Sequence, residues 1–223
     1  MKSYGQFCSF ARALDLLGER WTLLVVRELF QGSTRFNDIR RGIPRISRTM
    51  LSARLRELLD AGVIQRAPSD GGPAYALTEA GHELAGTARE LGTWGQRWLP
   101  RTLPSAELDM DTLLWDMRRR VRVAELPASP IVARIEETGG RAAVRFLLLR
   151  LGEVSLCTEN PGFPEEMKIR GPLRALTGWW RGDLSLAAAR AAGMVVEGRR
   201  EWVRAFPNWF ERYVFANVMP AER

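Results

Sequence analysis

Two cysteines, one histidine and no apolar run long enough to cross a bilayer are what the chain offers to several classes of function, and each shortage removes one. Cys8 and Cys157 lie far apart without ligand-like spacing, which excludes a disulfide framework and a zinc site. Both are expected as small packed hydrophobes, with a redox-sensing thiol as the functional alternative at Cys8. His82 stands alone, so neither a histidine-based triad nor a histidine metal centre is expected, and no nucleophile, base or metal motif marks an enzyme. No metal and no cofactor are expected. The opening residues carry no apolar segment ahead of a small-residue cleavage site; a secretory signal is not expected, and the cytoplasm is the expected compartment, away from any membrane. Repeats and low-complexity tracts are absent from the sequence.

What the chain does have is 223 residues, enough for two modest cores, and a formal charge of +7. The placement of that charge matters more than its size, because phosphate binding needs positive groups gathered on one face. Between Arg35 and Arg56 stand Arg35, Arg40, Arg41, Arg45, Arg48, Arg54 and Arg56 against one acid, Asp38.

Apolar spacing organises the first hundred residues. Phe7, Phe10, Leu14 and Leu17 predict a helix over 7–17. Trp21, Leu24, Val25 and Leu29 predict a second from about Glu19 to Phe30. Thr34 is expected to cap a third through Arg40, stopped by Gly42 and Pro44. Ser47 is expected to cap a fourth, Arg48 to Ala61, with Leu51, Leu55, Leu58 and Leu59 buried. Residues 63–67 and 74–77, separated by Pro68-Ser69-Asp70-Gly71-Gly72-Pro73, read as a hairpin. Thr78 then caps a helix in which Leu84, Leu91, Trp94 and Trp98 recur at nearly heptad spacing, either as core or as a dimer seam. The prolines at 100 and 104 end that pattern, which divides the chain into residues 1–100 and 108–223.

Helices followed by a hairpin make a winged helix, whose fourth helix would lie in the major groove of duplex DNA. With the leucines inward, Thr49, Ala53 and Arg56 point outward, Ser52 sits at the edge, and Arg48 projects from the first turn. Arg35, Arg45 and Ser47 join the DNA-facing set, although capping competes for Ser47. Arg66 and the Gly71-Gly72 tip would reach the neighbouring groove or its phosphates.

The run Leu14-Asp15-Leu16-Leu17-Gly18-Glu19-Arg20-Trp21-Thr22-Leu23-Leu24, then Arg35-Phe36-Asn37-Asp38-Ile39, Leu51-Ser52-Ala53-Arg54-Leu55-Arg56-Glu57-Leu58 and Tyr75-Ala76-Leu77-Thr78-Glu79-Ala80-Gly81, resembles the HxlR family of winged-helix regulators over residues 7–98. The resemblance implies a homodimer built through the first and last helices of this domain, at Phe7, Phe10, Leu91, Trp94 and Trp98. It also implies a cysteine at the position of Cys8, which some members use as an oxidant sensor. Cys8-Ser9 departs from the family's frequent Cys-Pro, without threat to the helix start.

In the second half, a helix over 111–121 precedes strands at 131–136, 142–150, 154–158 and 167–170. Helices follow at 173–180 and 185–192, then a strand at 194–197 and a helix at 201–206. The class is α+β, and the later strand, helix, helix, strand order with Gly182-Asp183-Leu184-Ser185 resembles a sterol-carrier-protein-like α/β sandwich. That resemblance implies an apolar tunnel between sheet and helices. Trp115, Phe146, Leu148, Trp179, Trp180, Trp202 and Phe206 are expected to line it for a small apolar ligand. The expected function is a DNA-binding regulator responsive to that ligand. The alternative is a lipid or metabolite carrier that keeps its winged helix for dimerisation alone.

Overall fold

The computed structural model describes residues 3–70, 72–140 and 142–221. Two compact units divide at Trp94/Gly95.

The first unit carries α1 (Ser9–Leu17), α2 (Thr22–Phe30), α3 (Phe36–Gly42), α4 (Arg48–Asp60), β1 (Ile64–Ala67), β2 (Ala74–Leu77) and most of α5 (Glu79–Trp98). Val25, Val26, Leu29, Ile39, Ile43, Ile46, Leu51, Leu55, Leu58 and Ile64 form its core. These positions follow the helical and alternating spacings of the sequence. Three local readings change. α1 starts at Ser9, which leaves Phe7 outside it. α2 starts at Thr22 because Trp21 adopts a left-handed conformation with φ 83°, so Glu19 and Arg20 belong to a turn, and Leu24 ends up exposed. Thr34 does not cap α3. Its carbonyl accepts the Tyr75 amide at 2.9 Å, and Arg35 bridges Ala74, so this short segment pairs with the β1–β2 hairpin instead.

Close approach leaves no room for a side chain at Gly42 or Gly81. A Cβ at Gly42 would fall 1.8 Å from Glu28 Oε2. Glu28 is buried on α2, where Arg27 donates to it at 2.7 Å and Ser33 at 3.3 Å, while Arg27 also donates to the Gly42 carbonyl at 3.0 Å. The packing of α3 on α2 therefore closes around one buried carboxylate. A Cβ at Gly81 would meet the Val63 carbonyl at 2.2 Å. There Thr78 Oγ1 accepts the Gly81 amide at 3.2 Å and donates to the Gly62 carbonyl at 2.7 Å, which caps α5 and ties it to the base of the hairpin.

The second unit holds α6 (Met110–Arg118), β3 (Ile131–Glu137), β4 (Val144–Arg150), β5 (Glu153–Cys157), β6 (Glu165–Gly171), α7 (Leu173–Arg181), α8 (Leu186–Ala191), β7 (Val195–Gly198) and α9 (Arg200–Ala205). The sheet order is β5-β4-β3-β6-β7, with β3 and β6 parallel and the other pairs antiparallel. α6 stops at Arg118, before the expected Val121, which forms a bridge with Phe210. The proline-flanked segment after α5 belongs to this unit, because Arg174 donates to the Leu103 carbonyl at 2.7 Å and Arg101 pairs with Asp183 at 2.9 Å.

Strand alternation sends β3 and β4 side chains to opposite faces of the sheet. Ile131, Ala133, Ile135, Leu147 and Leu149 join Trp179, Trp180 and Phe206 in one core, whereas Phe146 and Leu148 pack with Val132 on the other face. Phe146 and Leu148 therefore cannot line one cavity with Trp179, Trp180 and Phe206. On the helical side, Trp179 stacks on Phe206 at 5.3 Å, and Trp180 Nε1 donates to Asp116 at 2.8 Å. Trp115 is buried, with the guanidinium groups of Arg118 and Arg119 at 4.8 and 5.7 Å from its ring, and Trp202 lies half-buried 6.0 Å from Trp209. The void among Leu113, Met117, Ile135, Leu176, Trp179 and Phe206 is about 10 Å³. That is room for one water-sized sphere, and its walls are apolar. Around this void Trp179, Trp180 and Phe206 are packed core.

Candidate nucleic-acid interface

The site is built on α4. Ser47 has extended backbone, and its Oγ accepts the Met50 amide at 3.1 Å, so the expected cap is present. Leu51, Leu55 and Leu58 face the core, Leu59 is half-buried, and Ser47, Arg48, Thr49, Met50, Ser52 and Arg56 are exposed. Ala53 is half-buried between them. The guanidinium of Arg48 lies 6.0 Å from the Phe36 ring of α3, which orients it at the tip of the helix. The unpaired amides of this tip add a partial positive charge to the arginines around it.

The basic run does not act as one face. Arg54 is 7% exposed and pairs with Glu57 at 2.5 Å and Glu19 at 3.3 Å. It braces α4 against the turn before α2, and its charge is neutralised there. The sequence signal was present: Arg54 falls on the leucine side of the helix, with Glu57 three residues on. Arg41 pairs with Asp38 at 3.0 Å, and Arg40 is half-buried. Arg35, Arg45, Arg48 and Arg56 remain exposed.

The hairpin supplies the wing. β1 and β2 pair antiparallel with Arg66 opposite Tyr75, and the Arg66 guanidinium lies 5.9 Å from the Tyr75 ring. The Arg35 bridge to Ala74 fixes Arg35 beside the loop end of that hairpin. Of the expected wing tip, Gly72 has a φ of 99°, and Gly71 lies outside the described residues. The structure thus gathers Arg45, Ser47, Arg48, Thr49, Ser52 and Arg56 on and just before one helix, with Arg66 on the adjoining hairpin and Arg35 bridged to it from the start of α3. Met50 and the contact between Glu28 and Gly42 were not among the sequence expectations.

Phe7, Phe10, Leu91, Trp94 and Trp98 are all exposed, Phe7 fully and Trp94 by 54%. The α5 side chains Leu91, Trp94 and Trp98 are thus not buried in the core of the chain. Cys8 is exposed at the start of α1, where the backbone N–H groups of Ala11 and Phe10 favour the thiolate and hold its pKa below the ordinary thiol value. Among the described residues no group of three or more His, Cys, Asp or Glu is placed to hold a metal ion, and no helix is long and apolar enough to cross a membrane.

A family model described as HxlR-like helix-turn-helix matches residues 16–103. Over 93 residues the chain is 38% identical to the uncharacterized HTH-type transcriptional regulator YvaP of Bacillus subtilis, covering 86% of that protein and 40% of this chain. The chain belongs to the HxlR family. This HxlR chain is also 46% identical over 96 residues to the uncharacterized HTH-type transcriptional regulator Rv3095 of Mycobacterium tuberculosis, covering 42% of its own length. It spans 60% of the length of that mycobacterial relative. Among solved structures, the reduced form of the transcriptional regulator YodB from B. subtilis is 34% identical, with 41% of this chain and 93% of that chain covered and a TM-score of 0.36.

Proposed function

We propose that this HxlR-family chain is a homodimeric transcriptional regulator that lays α4 in the major groove of duplex DNA. One observation carries the reading: a leucine-backed, serine-capped helix presents Arg48, Thr49, Ser52 and Arg56 to solvent. A major groove is wide enough to admit that helix, and arginine suits both phosphate oxygens and the O6/N7 edge of guanine. Arg35 and Arg66 then contact backbone or the next groove from the wing. The named relatives are transcriptional regulators by description, which agrees with this use.

The homodimer is supported by the exposed aromatic and aliphatic side chains Phe7, Phe10, Leu91, Trp94 and Trp98, since a monomer gains nothing from leaving them in water. Leu91, Trp94 and Trp98 are spaced three and four apart and so share one side of α5. Two copies of α4 would address two half-sites about one helical turn apart.

A sterol-carrier-like reading of the second unit is supported by its β6, α7, α8, β7 succession. A small apolar effector would enter only if the aromatic core opened, because the void there is about 10 Å³. A carrier that keeps the winged helix for dimerisation alone leaves the exposed Arg48 and Arg56 without a purpose.

The test is fluorescence anisotropy of the full chain against duplex DNA from upstream of its own gene, titrated at several salt concentrations. Binding tighter than to random duplex, with log affinity falling linearly in log salt, is the expected result. Affinity equal to that for random duplex would reject a specific operator there.

A further inference from the structure

The exposed side of α4 runs from a polar edge to an apolar one. At about 100° per residue, Ser52 stands on one edge, Arg56 and Thr49 lie about 20° apart in the middle, Ala53 lies about 40° beyond Thr49, and Met50 about 60° beyond Ala53 on the other edge. Met50 is 36% exposed, and its amide is fixed by Ser47 Oγ at 3.1 Å, so it is held in the first turn of the helix. A thioether chain brings no strong donor or acceptor to phosphate, guanine or adenine edges. The apolar group that a base pair displays in the major groove is the C5 methyl of thymine, and it asks for apolar contact.

We infer that Met50, with the Ala53 methyl group one turn further on, reads the C5 methyl of a thymine in each half-site, while Arg56, six residues on and about 120° round the helix, holds a base or phosphate elsewhere in that half-site. The inference rests on the DNA-binding reading above and assigns its specificity: arginine for guanine or phosphate and an apolar edge for thymine. Arg56 alone would leave neighbouring bases undiscriminated, whereas a flexible, polarisable methionine accommodates a methyl group and disfavours a polar cytosine amine in its place.

The experiment selects sites from a random duplex pool with the full-length wild type, Met50→Leu and Met50→Gln. Wild type and Met50→Leu are expected to require thymine at one position per half-site, and Met50→Gln to lose that requirement while retaining the rest of the motif. Deoxyuridine is then placed at that position in a labelled duplex, which removes the methyl and keeps the pairing. Wild-type affinity should fall about fourfold, as expected for one buried methyl, and Met50→Ala affinity should barely change. Thermal melting of each variant checks that the fold is intact, as the exposure of Met50 leads one to expect. Equal tolerance of deoxyuridine by wild type and Met50→Ala would overturn the assignment of Met50 and leave DNA binding standing. Enrichment of no motif by the wild type would remove the DNA-binding reading, and this inference with it.

Discussion

Replacing Gly42 by alanine places a methyl group 1.8 Å from Glu28 Oε2, 2.1 Å from its Cδ and 2.5 Å from its Oε1. No heavy-atom pair tolerates those separations, so the carboxylate must swing away or α3 must lift from α2. Glu28 is 1% exposed, and the space around it is already packed by the unit's core. Swinging away costs its bonds from Arg27 at 2.7 and 3.1 Å and from Ser33 at 3.3 Å. The Arg27 pair is half-solvated and worth little by itself, but a buried carboxylate stripped of donors costs about 3 to 5 kcal/mol. A loss of about 3 kcal/mol is therefore expected in the transition that reports the first unit, read by urea unfolding of the full chain with each transition fitted separately. The double variant Gly42→Ala with Glu28→Ala supplies the control. If the clash is the cause, removing the carboxylate makes room for the methyl, and the double variant loses clearly less than the sum of the two single variants. A Gly42→Ala protein within about 0.5 kcal/mol of wild type, or strict additivity in the double variant, would refute the reasoning.

Arg56→Ala should weaken DNA binding with an unchanged melting temperature, and if Arg56 meets phosphate it should lower the salt slope by about 0.9; unchanged affinity would mean that another side of α4 meets DNA. Leu55→Ala should do the reverse, losing about 2 to 5 kcal/mol of stability because the side chain is buried, as read by chemical denaturation. Trp94→Glu should yield monomers in sedimentation velocity at concentrations where wild type is dimeric, and an unchanged distribution would remove α5 from the interface. For Cys8, a depressed pKa means that thiolate is present at lower pH than for an ordinary thiol. The maleimide rate lost in Cys8→Ser should therefore have its pH midpoint below the ordinary thiol value, and a midpoint at or above that value would contradict the influence of the Ala11 and Phe10 amides.

Periodicity made most of this architecture legible before any coordinates. Leu51, Leu55 and Leu58 on one side of α4, Ser47 at its start and Thr78 at the start of α5 occupy the places that spacing and capping chemistry assign them. What escaped were contacts between residues distant in sequence. Thr34 has the side chain of a cap, but the pairing of its carbonyl with Tyr75 prevails, because a hairpin some forty residues on supplies a better partner. Gly42 reads as a helix stop, and only the approach of Glu28 shows that a hydrogen is all that fits. In the second unit, alternation within β4 indicates two faces without saying that both are buried, so spacing alone does not separate Phe146 and Leu148 from Trp179 across the sheet.

Arg54 and Arg56 show most sharply why a count of charges is not a map of a site. Both belong to α4, two residues and about 200° apart. That rotation takes Arg54 toward Glu57 and Glu19, where two carboxylates compensate one guanidinium, and Arg56 into solvent. The first fixes the helix that presents the second, so the two should differ in kind when removed. Arg54→Ala leaves partly buried carboxylates without their cation and should be read as lost stability, with DNA affinity falling only as the helix loosens. Arg56→Ala should cost affinity at full stability. Were both to lose affinity alike with unaltered melting, Arg54 would have to be reaching DNA, and the brace to Glu19 would not survive in solution.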